Sequence, residues 1–289
     1  MKQEKEFWLV TTGHLEDRLW FREEDDFKVG MNYVAVQAAL TDVSILAFIL
    51  MSNHVHFVLH GVYEDALAFI NRYKKRYAKY FYSKYKINKL LKRNSVDIRR
   101  LPSEDEAVER AIAYVHMNCV AANICANSSQ YPWGSGNVLF NLTKPEGKTL
   151  KEFSFRERKR ILHCTLDLPL KWIIGGDGYI VPDSFLARKR AEAIFRTPKR
   201  MNYFLASSSK ARKKIDSGDD SIPSFKDQIV AAAIPDICMA LYGRTSMTGL
   251  STEETVEVLR QIRYRFSSNI NQIARVAGLS YADAAQLLD

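Results

Sequence analysis

Cysteine is scarce in this chain, and what there is does not pair. The 289 residues hold four (Cys119, Cys125, Cys164, Cys238), none in a C-x-x-C spacing. Paired-thiolate metal sites are therefore excluded, and free thiols in a reducing compartment fit best. The opening Met1-Lys-Gln-Glu-Lys-Glu6 is charged throughout and no apolar core follows it, so a secretory leader is not expected. No apolar run is long enough to cross a bilayer. The expected setting is cytoplasmic, with no membrane partner. No internal repeat divides the chain.

Positive charge is plentiful but uneven. The formal net charge is +9 and the pI about 9.3, which points to an acidic partner, most simply nucleic acid. Residues 71–100 hold twelve Lys or Arg against the single acid Asp97. Residues 146–215 hold 17 cations against 7 acids, whereas residues 216–289 hold 6 against 10. Hydrophobic residues make up 47%, enough for a sizeable core.

The pattern predicts a strand over 7–12 and a helix over 27–40. It then predicts one or two strands over 43–60, broken at Ser52-Asn53. Helices are expected over 65–85 and from 104 to about 120, the latter with Ser103 as N-cap and Glu106 closing a capping box. This order suits a small α+β domain with an antiparallel sheet covered on one face by helices. The expected organisation is a domain over 1–145, a basic extension and linker over 146–215, and a helical module over 216–289.

Within the apolar strand Ile45–His60, His54 and His56 are two residues apart. Side chains two apart on a strand share a face, so both imidazoles can grip one divalent cation. His60 shares that face but lies roughly 13 Å beyond His56 at strand rise, too far for the same ion. On the following helix, Tyr114 and Asn118 are one turn apart and share a face. A phenol is a nucleophile and an amide oxygen can join a metal shell. A tyrosine that simply packs between helix and sheet has the same spacing. His116 lies off that face and reads as structural.

Three strings together carry a family resemblance: Met51-Ser-Asn-His-Val-His56, Tyr114-Val-His-Met-Asn-Cys-Val120 and Tyr131-Pro-Trp-Gly-Ser135. They resemble the single-tyrosine HUH transposases of the IS200-like superfamily, and most closely the REP-associated tyrosine transposases. Those proteins have M-P-N-H-V-H, Y-I-H-x-N-P-V and Y-P-W-S-S at these places. Gly13-His14 and Arg18–Phe21 also resemble that family's opening strand and loop, and the similarity spans about residues 7–140. It implies a ferredoxin-like HUH nuclease domain that cuts and rejoins single-stranded DNA bearing hairpins. It further implies His54, His56 and Asn118 around Mg²⁺ or Mn²⁺, Tyr114 as the nucleophile that forms a 5′-phosphotyrosine, and a monomer or a homodimer. Ser52, Cys119 and Gly134 depart from the pattern, and none removes a catalytic group.

Arg72, Lys74, Lys75, Arg76 and Lys79 alternate with tyrosines on the helix over 65–85. They are the expected DNA contacts, placed near the cut, with the aromatics available for base stacking. An amphipathic helix with its tyrosines inward accounts for about half of them. Arg188–Arg190, Lys199-Arg200 and Arg212–Lys214 form a second basic zone, equally readable as a duplex clamp or a solvated face. The tail from Ser268 has helix-turn-helix rhythm, with Gly278 closing one helix and Ser280 capping the next. The second of these helices lacks Lys and Arg, so a partner-binding module is favoured over DNA reading. The alternatives to the nicking enzyme are a non-catalytic DNA-hairpin-binding protein and a hydrolase using metal-bound water.

Overall fold

The computed structural model describes residues 4–12, 19–87, 96–104, 106–122, 124–208, 225–266 and 268–288. His14, Arg18 and the cluster Arg212–Lys214 lie outside the described residues. The frame consists of β1 (Glu6–Thr12), α1 (Glu24–Leu40), β2 (Ser44–Met51), β3 (His54–Gly61), α2 (Tyr63–Tyr85) and β4 (Val96–Leu101). The strands form one antiparallel sheet in the order β2-β3-β1-β4. This βαββαβ order is the ferredoxin-like arrangement, as expected for the α+β class.

The last seven residues of β2 are buried, and so are seven of the eight in β3. Strands that apolar must be covered on both faces. Phe57 of β3 meets Phe69 and Tyr73 of α2 at ring-centroid distances of 5.0 and 5.9 Å. Its neighbour His56 meets Tyr114 at 5.5 Å, on α3 (Ala107–His116). Successive strand side chains point to opposite faces, so α2 and α3 lie on opposite sides of the sheet. The two-helix cover of α1 and α2 is on the expected single face; α3 adds a cover on the other.

Three elements differ from the sequence expectation. β4 was not foreseen: Val96-Asp-Ile-Arg-Arg-Leu101 carries three charges, which an edge strand tolerates because it pairs on one side only. The helix expected from 104 starts at Ala107, with Glu106 left-handed (φ 58°) and no side-chain cap. The Glu106 carboxylate is turned outward to Arg110 and Arg200, at 2.9 and 3.1 Å, so the capping box does not form. That helix also breaks at Met117, and Asn118 opens the short α4 (Asn118–Ala121).

The stripe Phe69, Tyr73, Tyr77 and Phe81 seats α2 on the sheet, all four buried. Its neighbours converge on Asp26 of α1, whose side chain has no exposure. Tyr80 and Tyr85 donate hydroxyl bonds to this carboxylate at 2.9 and 2.7 Å, and Lys84 donates at 2.8 Å. The backbone N–H groups of Arg22 and Glu23 add two more donors.

Beyond residue 145 the chain folds back. β5 (Lys148–Thr149), α5 (Phe155–Leu162) and β6 (Ile173–Ile174) bring Leu150, Leu162, Trp172 and Ile180 against Ala35 and Val36 of α1. α6 (Arg188–Phe195) and α7 (Pro198–Ser207) place Phe195, Met201 and Phe204 in the main core. The remaining helices, α8 (Asp227–Tyr242), α9 (Thr252–Phe266), α10 (Ile270–Ala277) and α11 (Tyr281–Leu288), share a smaller core around Val230, Ile237, Leu259 and Ile273. Among the described residues no helix is long and apolar enough to cross a membrane.

Replacing Asp26 with Ala leaves the Lys84 ammonium and two phenols without their shared acceptor. The expected loss of stability is about 3–5 kcal/mol, measured by urea denaturation against wild type.

Candidate functional site

The sheet register decides what surrounds the histidines. His56 lies opposite Thr11 on β1 and Ile49 on β2, and His54 lies opposite Met51. The two imidazoles are perpendicular with centroids 4.9 Å apart. Both are buried, at 6% and 0% exposure. His54 Nδ1 sits 2.8 Å from Asn53 Oδ1. An amide oxygen only accepts, so Nδ1 carries the proton and Nε2 is the nitrogen that would ligate. His56 Nδ1 lies 3.2 Å from Thr11 Oγ1, a contact that holds the ring in place, with the hydroxyl able to donate or accept.

α3 and α4 supply the other two side chains. The Tyr114 and His56 rings are perpendicular, at an interplanar angle of 89°. Asn118 is buried, and its Nδ2 donates to Tyr114 O at 2.8 Å. With the amide nitrogen committed to a helix carbonyl, Oδ1 is left as its acceptor atom. Two imidazole nitrogens and an amide oxygen would make a neutral donor set that suits a divalent ion of mixed N/O preference. Mn²⁺ fits that description better than Mg²⁺, which prefers oxygen throughout. Among the described residues, no group of three or more His, Cys, Asp or Glu could hold a metal.

Burial raises the Tyr114 phenol above its ordinary pKa of 10.0, and the charge of Arg99 works against that rise. Arg99 belongs to the unforeseen β4. It pairs with Leu9, which pairs with Val58, so it lies on the histidine face of the sheet. It is exposed. The signal was present in the alternation Asp97, Arg99, Leu101, but without β4 it had no face to belong to.

The expected DNA contacts of α2 are not brought to this face. Arg72, Lys74, Lys75, Arg76 and Lys79 all stand on the helix that covers the other side of the sheet. Lys75 and Lys79 are exposed. Arg72 reaches Leu40 O at 3.3 Å, and Arg76 lies over the Tyr33 ring at 5.5 Å. Tyr73, Tyr77 and Phe81 are core residues and present no face to a base. In the second basic zone, Arg188 is spent on Asp183 and Glu192, and Arg200 on Glu106 and Glu109. Arg190 lies 2.9 Å from His60 Nε2.

The remaining motif residues build rather than react. His116 is fully buried with Nε2 3.0 Å from Ser135 Oγ, and burial lowers its pKa to about 4. Ser135 also bonds Phe48 on β2, through both N–H and C=O. Tyr131 donates its hydroxyl to Leu50 O at 2.7 Å, and Leu50 N donates to Trp133 O at 2.8 Å. Residues 131–135 thus run as a strap along the outer edge of β2. A Cβ on Gly134 would stand 2.8 Å from Phe48 O, so the departure to glycine here serves a close approach. Cys119, the other departure, donates its thiol to His116 O at 3.3 Å.

No family model and no curated protein matches the chain. Among solved structures, the chain is similar to a REP-associated tyrosine transposase bound to a REP hairpin. The match is at 13% identity with a TM-score of 0.36, covering 47% of this chain and 81% of that one.

Because His116 is held neutral, the unfolded chain binds a proton there that the folded chain rejects. Its contribution to stability is intact above the unfolded value of about 6.5 and declines as pH falls toward 4. Between pH 7.5 and 5, wild type is expected to lose about 2 kcal/mol that a His116→Gln variant does not lose. Parallel chemical denaturation at the two pH values measures it.

Proposed function

We propose that this protein cuts and rejoins single-stranded DNA at hairpin-bearing repeats, with Tyr114 as the nucleophile. The observation that supports this reading most is the packing of Tyr114 against His56. These two residues stand on separate elements, α3 and β3, and their ring centroids are 5.5 Å apart on one face of the sheet.

The Tyr114 hydroxyl gives up its proton and its oxygen attacks phosphorus. The new Oη–P bond forms as the P–O3′ bond breaks, and the departing oxygen takes up a proton as a free 3′ hydroxyl. The covalent 5′-phosphotyrosine keeps the energy of the phosphodiester, so a 3′ hydroxyl from another end can reverse the step and join the strands. A divalent ion held by His54, His56 and Asn118 would polarise the phosphate oxygens and offset their developing charge. Arg99 adds a fixed positive charge on the same side, available to a phosphate of the bound strand. Asn53 and Thr11 hold the imidazoles in orientation.

Incubation with a single-stranded oligonucleotide and Mn²⁺ is expected to give a protein–DNA adduct that survives denaturant and is absent in Tyr114→Phe. An adduct that persists in that variant disproves the nucleophile. Cleavage with no adduct at all points to metal-bound water, and hairpin binding without cleavage points to a non-catalytic DNA-binding protein. Mn²⁺ should support more adduct than Mg²⁺ at equal concentration.

The opposite placements of β4 and α2 make a second test. Arg99→Ala is expected to reduce adduct formation at least tenfold, roughly the 1.4 kcal/mol or more of a lost charge-assisted bond. The pair Lys75→Glu and Lys79→Glu, on the far side of the sheet, should change adduct formation less than Arg99→Ala does. The reverse ranking, read from initial rates at fixed salt, would move the strand to the α2 face.

A further inference from the structure

The turn that leads into His54 is held by a residue 175 positions away. Ser52, where the similar family has proline, donates its hydroxyl to Asp227 Oδ2 at 2.8 Å, and both groups are buried. Asp227 opens α8, the first helix of the C-terminal module. Its carboxylate also accepts from Arg275 Nε at 2.8 Å, Arg275 Nη2 at 3.0 Å and Gln272 Nε2 at 3.2 Å. Both of those donors stand on α10. The guanidinium then reaches outward: Arg275 Nη1 donates to Ala122 O at 3.1 Å. Ala122 ends α4, and its own N–H donates to Asn118 O at 3.0 Å.

One buried ion pair therefore touches both segments that carry the candidate metal ligands. On one side is the turn Ser52-Asn53, whose Asn53 orients His54. On the other is the four-residue helix that begins with Asn118. The Ser52 carbonyl is tied separately, accepting from the N–H groups of Trp20 and Phe21 at 2.8 and 3.1 Å. Gln228, next to Asp227, donates to Phe21 O at 2.9 Å. The C-terminal module is thus joined by directional bonds to the same few residues that form the edge of the site.

We propose that Asp227 and Arg275 are positioning residues that set the spacing between the His54 turn and the Asn118 helix, making the C-terminal module part of the metal-site scaffold. The proposal rests on the reading of His54, His56 and Asn118 as ligands. A lone guanidinium or carboxylate left at this depth would be costly, so α8 and α10, which share one core, present the two charges together when the module docks. Docking of the module and shaping of the site become one event. This also gives the helix-turn-helix-like tail a role other than reading bases. Arg275 is the one cation in residues 268–289, and its guanidinium is used within the protein.

The test uses the full chain with two variants. Ser52→Ala removes one bond and leaves the ion pair intact. The double variant Asp227→Ala/Arg275→Ala removes both charges, so that neither is stranded. Hydrogen exchange followed by mass spectrometry reads the peptides covering 51–57 and 115–122. Titration of Mn²⁺ by the loss of its free-ion resonance signal reads the metal site without any turnover.

The double variant should exchange faster in both peptides and bind Mn²⁺ about tenfold or more weakly, the usual cost of losing an outer contact to a metal ligand. Ser52→Ala should affect only the first peptide and weaken Mn²⁺ binding less. Wild-type exchange in both peptides of the double variant would overturn the tether. Faster exchange with unchanged Mn²⁺ affinity would overturn its positioning role. A wild-type protein that takes up no Mn²⁺ would instead overturn the ligand reading, while the exchange data still judge the tether.

Discussion

The alternation of side chains along β3 is the constraint on which the rest depends. Val55, Phe57 and Leu59 have no exposure and belong to the core, with Phe57 directed at α2. His54 and His56, between and beside them, necessarily point the other way. A slip of one residue would exchange the two sets. It would put imidazoles under α2 and expose Phe57 to the α3 side. Phe57 would lose its packing against Phe69 and Tyr73 and imidazoles would take the core positions, so the core itself enforces the placement of the histidines. Pairing with β1 on one side and β2 on the other leaves β3 no freedom to compensate. The chemistry of the face thus follows from the packing of its reverse.

Much of this was legible beforehand because it is periodic. Strand alternation gave the shared face of His54 and His56, and helical spacing gave Tyr114 its helix, while Asn118 falls beyond the break at Met117. Gly278 and Ser280 do close and cap the tail helices where their types suggest: Gly278 is left-handed with φ +70°, and Ser280 Oγ accepts from Asp283 N at 3.0 Å. What stayed hidden was non-local. The edge strand β4 is short and charged, so neither composition nor hydropathy marks it. Arg99 could not be assigned to the site until its partner Leu9 was known.

The basic helix shows the opposite failure. Its cations and tyrosines look like a nucleic-acid surface in the sequence, yet the aromatic half is the core stripe. Part of the remainder is recruited by Asp26, a carboxylate far away in sequence. Charge counts say how many cations a segment holds, not which way they face or which acids they meet. The same applies to Arg188 and Arg200, whose partners are acidic groups of the fold. Ser52 is the sharpest case. As a departure from a motif it looked inconsequential, and its hydroxyl proves to be bonded across 175 residues to a buried aspartate.

The strap of residues 131–135 has a consequence for assembly. An uncovered outer strand is an invitation to a second molecule, whose own edge can add on and continue the hydrogen-bond ladder. Along β2 that invitation is withdrawn: Phe48 and Leu50 have their backbone groups occupied by Ser135, Trp133 and Tyr131 of the same chain. Two copies of this protein cannot merge into one continuous sheet through β2. A sheet-to-sheet contact through this edge would first require the strap to leave.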